Sequence, residues 1–191
     1  MRRFAQLRPD VPLKVMWRSH QLLPFTPLNG LPYQAFYRDR LGSPEAVAAR
    51  RAQVQRAGYD AGIEFAFDRM EVLPNTAAAH NLVTYAAGRG TEAQRTALIE
   101  RLFTAYFLEA ENIGDWKVLE RLGLACGLEP QGLSDHLTES RRLADPIASQ
   151  ALHTDVRVSG VPQFAFNAAY TLSGAYSPEA IIEAMLLATR A

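Results

Sequence analysis

Three kinds of residue in this chain could do chemistry: one thiol, four imidazoles, and a proline set between a tight turn and an apolar run. The thiol is Cys126. A cysteine attacks as the thiolate, so its surroundings decide its reactivity. In Leu124-Ala125-Cys126-Gly127-Leu128 the glycine reads as a helix C-terminal cap, which puts Cys126 at the negative end of a helix. That position raises a thiol pKa and predicts a structural cysteine. With one cysteine in the chain there is neither an internal disulfide nor a Cys-x-x-Cys pair for thiol–disulfide exchange. The imidazoles are His20, His80, His136 and His153, and none stands at zinc-ligand spacing from another donor. His153 and Asp155 are two residues apart, so on a helix they diverge, and no metal site is expected. His80 shares a side with Val83 and Ala87 and reads as a hydrogen-bonded core histidine. Glu109 and Glu111 read as a solvated pair, and Gly88-Arg89-Gly90 lacks the spacing of a phosphate loop. The proline is Pro162, in Val158-Ser159-Gly160-Val161-Pro162-Gln163-Phe164-Ala165-Phe166-Asn167, a turn followed by a strand pattern.

The elements that must position these residues follow from periodicity and caps. Residues 1–8 read as the last turns of a helix, stopped by Pro9-Asp10. Leu13 to Arg18 alternates like a strand, with His20 just beyond it. A connector with Pro24, Pro27, Gly30 and Pro32 follows. From Ser43 to Val156 the pattern is almost wholly helical. Ser43-Pro44-Glu45 supplies an N-cap, a proline at the first position and an acid in the first turn; Gly58 and Gly62 are expected to end that helix. Thr91-Glu92-Ala93-Gln94 is a capping box, behind which Leu98, Leu102, Ala105 and Leu108 form an apolar face. Phe103, Tyr106, Phe107 and Trp116 are expected in the core of this helical part. Shorter helices are predicted from Asp115 to Ala125, Pro130 to Arg141 and Asp145 to Val156. Gln163 to Asn167 and Tyr170 to Leu172 then read as a hairpin, and Ser177-Pro178-Glu179 caps a final helix. Strand, helical block, two strands and helix make an α/β order with a helical insertion.

The chain has 191 residues, 20 basic and 20 acidic, and 48% of it is hydrophobic. That supports a sizeable core and gives no field for nucleic acid or an anionic membrane. No apolar run reaches the ~20 residues of a membrane span, and the N-terminus has no apolar signal core. A lone cysteine fits a reducing compartment, so a cytoplasmic protein is expected.

Further residues, in order and at compatible spacings, point to a family. They are Trp17-Arg18, Gln21-Leu22 and Pro24; Asn75-Thr76, Ala79-His80 and Leu82; Leu102-Phe103 and Ala105-Tyr106-Phe107; and Asn112-Ile113-Gly114-Asp115 with Leu119. Gly160-Val161-Pro162, Phe164, Phe166-Asn167, Tyr170 and Ser173-Gly174-Ala175 complete the set. With these residues the chain resembles the DsbA family of thioredoxin-like proteins, in its FrnE-type branch. The resemblance implies a thioredoxin-like sheet, residues 1–42 and 157–191, interrupted by a large all-helical insertion over residues 43–156. It implies thiol–disulfide exchange with protein or peptide partners, without a dissociable cofactor. Val161 and Pro162 match the family's substrate-docking cis-proline turn, and His20 a cleft position where the family usually has an aromatic ring.

The chain also departs from the pattern. Met1-Arg2-Arg3-Phe4 aligns inside the family's first helix, so the Cys-x-x-Cys and the central strand before it fall outside these residues. Three arrangements answer the gap: a start upstream of Met1, flanking strands that close up and pair, or a strand from another chain, including a second copy in a homodimer. The expected function is a FrnE-type protein disulfide oxidoreductase or isomerase, inactive as this chain. One alternative is a glutathione-dependent enzyme like 2-hydroxychromene-2-carboxylate isomerase or the kappa-class glutathione transferases. The other is a non-catalytic peptide-binding or chaperone-like module, holding extended peptide by strand addition.

Overall fold

The computed structural model describes residues 1–143, 160–167 and 169–189. In chain order its elements are α1 (Arg2–Leu7), β1 (Leu31–Pro32), α2 (Tyr33–Leu41), α3 (Pro44–Asp60), β2 (Val72–Leu73), α4 (Ala77–Arg89), α5 (Glu92–Phe107), α6 (Trp116–Ala125), α7 (Pro130–Leu143), β3 (Gln163–Phe166), β4 (Tyr170–Ser173) and α8 (Pro178–Ala188). Internal contacts group them into two compact units, Met1–Arg18 with Thr154–Ala191, and Ser19–His153.

In the second unit the starts of α3, α5 and α6 are set by side-chain caps. The Ser43 hydroxyl accepts from the Ala46 N–H at 3.1 Å, with Pro44 pre-set for the first turn of α3. Thr91 and Gln94 satisfy each other's backbone N–H groups at the start of α5, at 3.2 and 2.8 Å. The Asp115 carboxylate caps α6 through the Lys117 N–H at 2.8 Å. The helices α4 to α7 bury apolar faces in one cluster: Leu82 and Ala86 of α4, Leu98, Leu102 and Ala105 of α5, Leu119 and Leu122 of α6, and Leu133 and Leu137 of α7. A second cluster gathers Tyr33, Phe67, Met70 and Leu73, with Phe65, Tyr106 and Phe107 against it. The expected aromatic core is thus split. Phe103 is 55% exposed and Trp116 38%, because each sits on the side of its helix away from these clusters. Residues 19–42 pack within this unit: β1 pairs antiparallel with β2, Leu31 opposite Leu73, and α2 lies against α3. The helix α2 was not legible in the proline-rich connector. Gly58 also differs from expectation. It lies inside α3, where a Cβ would come within 2.5 Å of Phe65 Cε2, so it permits close approach and does not terminate the helix.

In the first unit α1 lies against α8 and buries Phe4 to 1% exposure. Arg3 pairs with Glu179 at 2.9 Å, and Arg8 donates to the Thr189 hydroxyl at 3.2 Å. Ser177 caps α8 through the Ala180 N–H at 3.2 Å, with Pro178 in its first turn. The hairpin β3–β4 runs in the register Phe164 opposite Leu172, and Asn167 at its turn adopts φ 49° while its side-chain amide donates to the Ala188 carbonyl at 3.2 Å.

One expected strand is absent. Leu13 to Arg18 forms no ladder, and no backbone group from Pro12 to Arg18 hydrogen-bonds another described residue. The alternation is present, but a strand exists only through a partner's N–H and C=O groups, and the described residues offer none. The flanking segments therefore do not close up on each other: among the described residues the sheets are the two pairs β1–β2 and β3–β4. The helix expected from Asp145 to Val156 lies outside the described residues.

Candidate functional site

The hairpin of the first unit carries the sequence's strongest candidate residues. Val161 is 45% exposed, Pro162 is exposed, and the peptide bond between them is cis. The Gly174 N–H donates to the Pro162 carbonyl at 2.8 Å, and the Ala169 N–H to the Phe166 carbonyl at 2.9 Å. Residues of an antiparallel strand alternate in the direction of their peptide groups. Pro162, Phe164 and Phe166 therefore address β4, while Val161, Gln163 and Ala165 direct their backbone groups to the other edge. Among the described residues no strand pairs with that edge. The Phe164 and Phe166 rings lie nearly parallel, 4° between planes with centroids 6.4 Å apart, and stiffen one face of β3. Gln163 Oε1 is shielded from water yet has no hydrogen-bond partner among the described residues. The site is thus a short open β-edge, entered through an exposed Val161–Pro162 turn.

His20 belongs to the second unit and is half-buried. Next to it, Gln21 Nε2 donates to Asn75 Oδ1 at 3.3 Å, Asn75 Nδ2 donates to the Thr26 carbonyl at 2.6 Å, and the Ala77 N–H donates to Asn75 Oδ1 at 2.9 Å. This network fixes the connector carrying His20 to the start of α4. Burial, then the neighbouring His20, holds the His80 imidazole below its ordinary pKa. Gln21 and Asn75 both belong to the residues that carry the family likeness, but nothing in the sequence pointed to their contact.

Against this geometry the comparison with known families is decisive. The profile of the DSBA-like thioredoxin domain matches residues 1–185. The chain belongs to the DSBA-like family. No curated protein matches it. The match covers both the helical body and the hairpin, and identifies a thioredoxin-like fold with a helical insertion, in a family of thiol–disulfide oxidoreductases.

In this DSBA-like chain the remaining candidates are structural. Cys126 is the C-cap residue of α6. Its thiol is pushed up chiefly by burial, with Arg101 opposing the shift, so the cause lies more in desolvation than in the helix terminus. Glu109 and Glu111 are not simply solvated. Arg101 pairs with Glu109 at 2.7 Å and with Glu111 at 3.6 Å, and Arg121 pairs with Glu111. Arg101 holds Glu109 below the usual carboxylate range, while burial and then Glu109 push Glu111 up. The spacing of the sequence hides this cluster because α6 brings Arg121 in from ten residues away. His136 Nε2 lies 3.1 Å from the Asn81 carbonyl, and its ring stacks on Tyr85 at 4.7 Å, tying α7 to α4. Among the described residues no group of His, Cys, Asp or Glu side chains is placed to hold a metal ion. None of the described helices is long and apolar enough to cross a membrane.

Proposed function

We propose that these residues form the substrate-docking part of a FrnE-type thiol–disulfide oxidoreductase, and that as a single polypeptide the chain binds extended protein or peptide segments without exchanging disulfides. The observation that carries this reading is the open edge of β3 at an exposed Val161–Pro162 turn, within a domain match that runs through it. Val161, Gln163 and Ala165 offer backbone N–H and C=O groups in strand geometry, which recognise any extended chain and leave selection to side chains. His20, in the second unit, is kept as a candidate substrate contact on the strength of the family resemblance alone. Exchange requires a thiolate to attack a sulfur of the substrate disulfide, forming one S–S bond as another breaks, and then a second thiol to release the product. The chain holds one cysteine, at the end of α6 and with its thiol pKa raised, so the reading gives Cys126 no part in that step. Docking of this kind needs no dissociable cofactor, and the partners are protein thiols and disulfides of the cytoplasm.

The test pairs two measurements on the chain. Reduction of insulin disulfides by dithiothreitol should run at the uncatalysed rate, equally for the natural chain and for Cys126→Ser. A carboxymethylated, unfolded protein should bind, because binding by backbone pairing needs no thiol. Catalysis that disappears in Cys126→Ser refutes the reading. Retention on immobilised glutathione without peptide binding favours the glutathione-dependent alternative and refutes it as well.

A further inference from the structure

Helix α3 carries two stripes at heptad spacing, and the second unit buries one of them. Val47, Arg51, Val54 and Gly58 turn inward: Val47 and Gly58 are buried, Gly58 packs against Phe65, and the Arg51 guanidinium lies 5.4 Å from the Tyr33 ring centroid. Glu45, Ala49, Ala52 and Arg56 repeat the same spacing two residues away, about 200° around the helix, and all four are exposed. A shallow groove runs along that side. Its lining, Ala49, Ala52, Gln53, Arg56, Ala57 and Asp60, comes from α3 alone, so no other described element reaches into it. Neither Glu45 nor Arg56 has an ion pair among the described residues.

We propose that this outer stripe is a contact between two copies of the chain, with their α3 helices antiparallel. The order of charges along the stripe selects a second copy as the occupant. A two-fold interface requires that residue i face j and that j face i. Antiparallel pairing centred between residues 50 and 51 sets Glu45 opposite the partner subunit's Arg56, Arg56 opposite the partner subunit's Glu45, and Ala49 opposite the partner subunit's Ala52. Two opposite-charge pairs thus close over methyl groups, which let the helix axes approach to about 8 Å. Parallel pairing in register sets acid against acid and base against base, so charge also fixes the direction. Arg50 and Arg51 lie at the midpoint but off the stripe, and Arg50 donates to Gln53 at 2.7 Å. In the same register Tyr59, 76% exposed, falls opposite Gly42 and beside the exposed Leu41. A bilayer is a poor occupant, because the face lacks the large apolar side chains with which an interfacial helix enters lipid. One pair of helices about 25 Å long makes a small interface, so the dimer is reversible. The contact shares no residue with the Val161–Pro162 edge and stands apart from that reading.

Sedimentation equilibrium of the whole chain over a dilution series, at low and at high salt, tests the contact. The natural chain should dimerise reversibly as concentration rises, and more weakly as salt is raised. Arg56→Glu and Glu45→Arg should each weaken the dimer by about tenfold or more, because each turns both ion pairs into like-charge pairs. Combining the two restores opposite charges and should return the dimer to its natural strength. Ala52→Trp leaves both charges and the start of α3 in place, and should abolish the dimer by blocking the close approach of the helices. It decides the matter if circular dichroism shows that Glu45→Arg disturbs the helix. A monomer at every concentration, self-association unchanged by Arg56→Glu or Ala52→Trp, or a folded double variant no stronger than the single ones overturns the proposal. So does binding of phosphatidylserine vesicles or of another protein through this face by a chain that stays monomeric.

Discussion

Replacing Asn75 by alanine should be among the costlier single changes in the second unit. Asn75 is 5% exposed and its side chain serves three neighbours at once: Gln21 Nε2, the Ala77 N–H and the Thr26 carbonyl. Alanine leaves those groups without the amide they face, and Gln21 Nε2 has no other partner among the described residues. Each intramolecular hydrogen bond contributes about 1 kcal/mol net, and an unsatisfied buried partner costs about 1–3 kcal/mol. The 3.3 Å contact from Gln21 is the weakest of the three. The expected loss is therefore about 3 kcal/mol, visible as a lower midpoint in urea unfolding followed by circular dichroism. Gln21→Met provides the control. Gln21 Oε1, buried, has no partner among the described residues, so removing the amide relieves one unsatisfied group while losing only the long bond. That change should cost less than about 1 kcal/mol. The pair of results is diagnostic, because a general effect of disturbing the connector would make both variants costly. A loss under about 0.5 kcal/mol for Asn75→Ala, or an equal loss for the two variants, refutes the network as the clasp between connector and α4.

Other outcomes follow from the same structure. His80 has its pKa lowered in the folded state by burial and by His20, so the unfolded chain takes up the proton first as pH falls. Stability from this site is complete above the ordinary histidine value of about 6.5 and is lost as pH drops from there toward the folded value. The thermal midpoint should accordingly fall between about pH 7.5 and 5.5, less steeply in His80→Gln; identical slopes for both proteins would sink the assignment. Gly58→Ala sets a new Cβ 2.5 Å from Phe65 Cε2 and 2.9 Å from the Ile63 carbonyl. Overpacking costs about 1–3 kcal/mol and outweighs the gain of up to about 1 kcal/mol in helix propensity. The variant should be destabilised in chemical denaturation, and a stabilised Gly58→Ala would show that α3 is free to move from Phe65.

Much of the fold was legible because local signals and tertiary packing agree. Ser43, Thr91, Asp115 and Ser177 each cap the helix that their sequence context announces. The hairpin of Gln163–Phe166 with Tyr170–Ser173 was readable from alternation around Asn167. What escaped is what depends on partners. Leu13–Arg18 has the pattern of a strand and no ladder, since alternation describes one chain and pairing requires two. Gly58 looked like punctuation because its reason, the ring of Phe65, arrives only through the fold. The Arg101–Glu109–Glu111–Arg121 cluster was likewise invisible, because α5, the following loop and α6 contribute its members separately. At the candidate site, Val161 and Pro162 stood out through turn chemistry. The free edge beside them became apparent only from the direction of the peptide groups in β3.

Amide-resolved NMR during titration with an unfolded, thiol-free peptide tests the central claim most directly. The Gln163 and Ala165 amides, which face the open edge, should shift and gain protection from hydrogen exchange, while the Phe164 amide, already directed to β4 opposite Leu172, changes little. A bound peptide that leaves Gln163 and Ala165 undisturbed, with its shifts confined to the exposed Phe103 and Trp116 of the helical unit, contradicts the account.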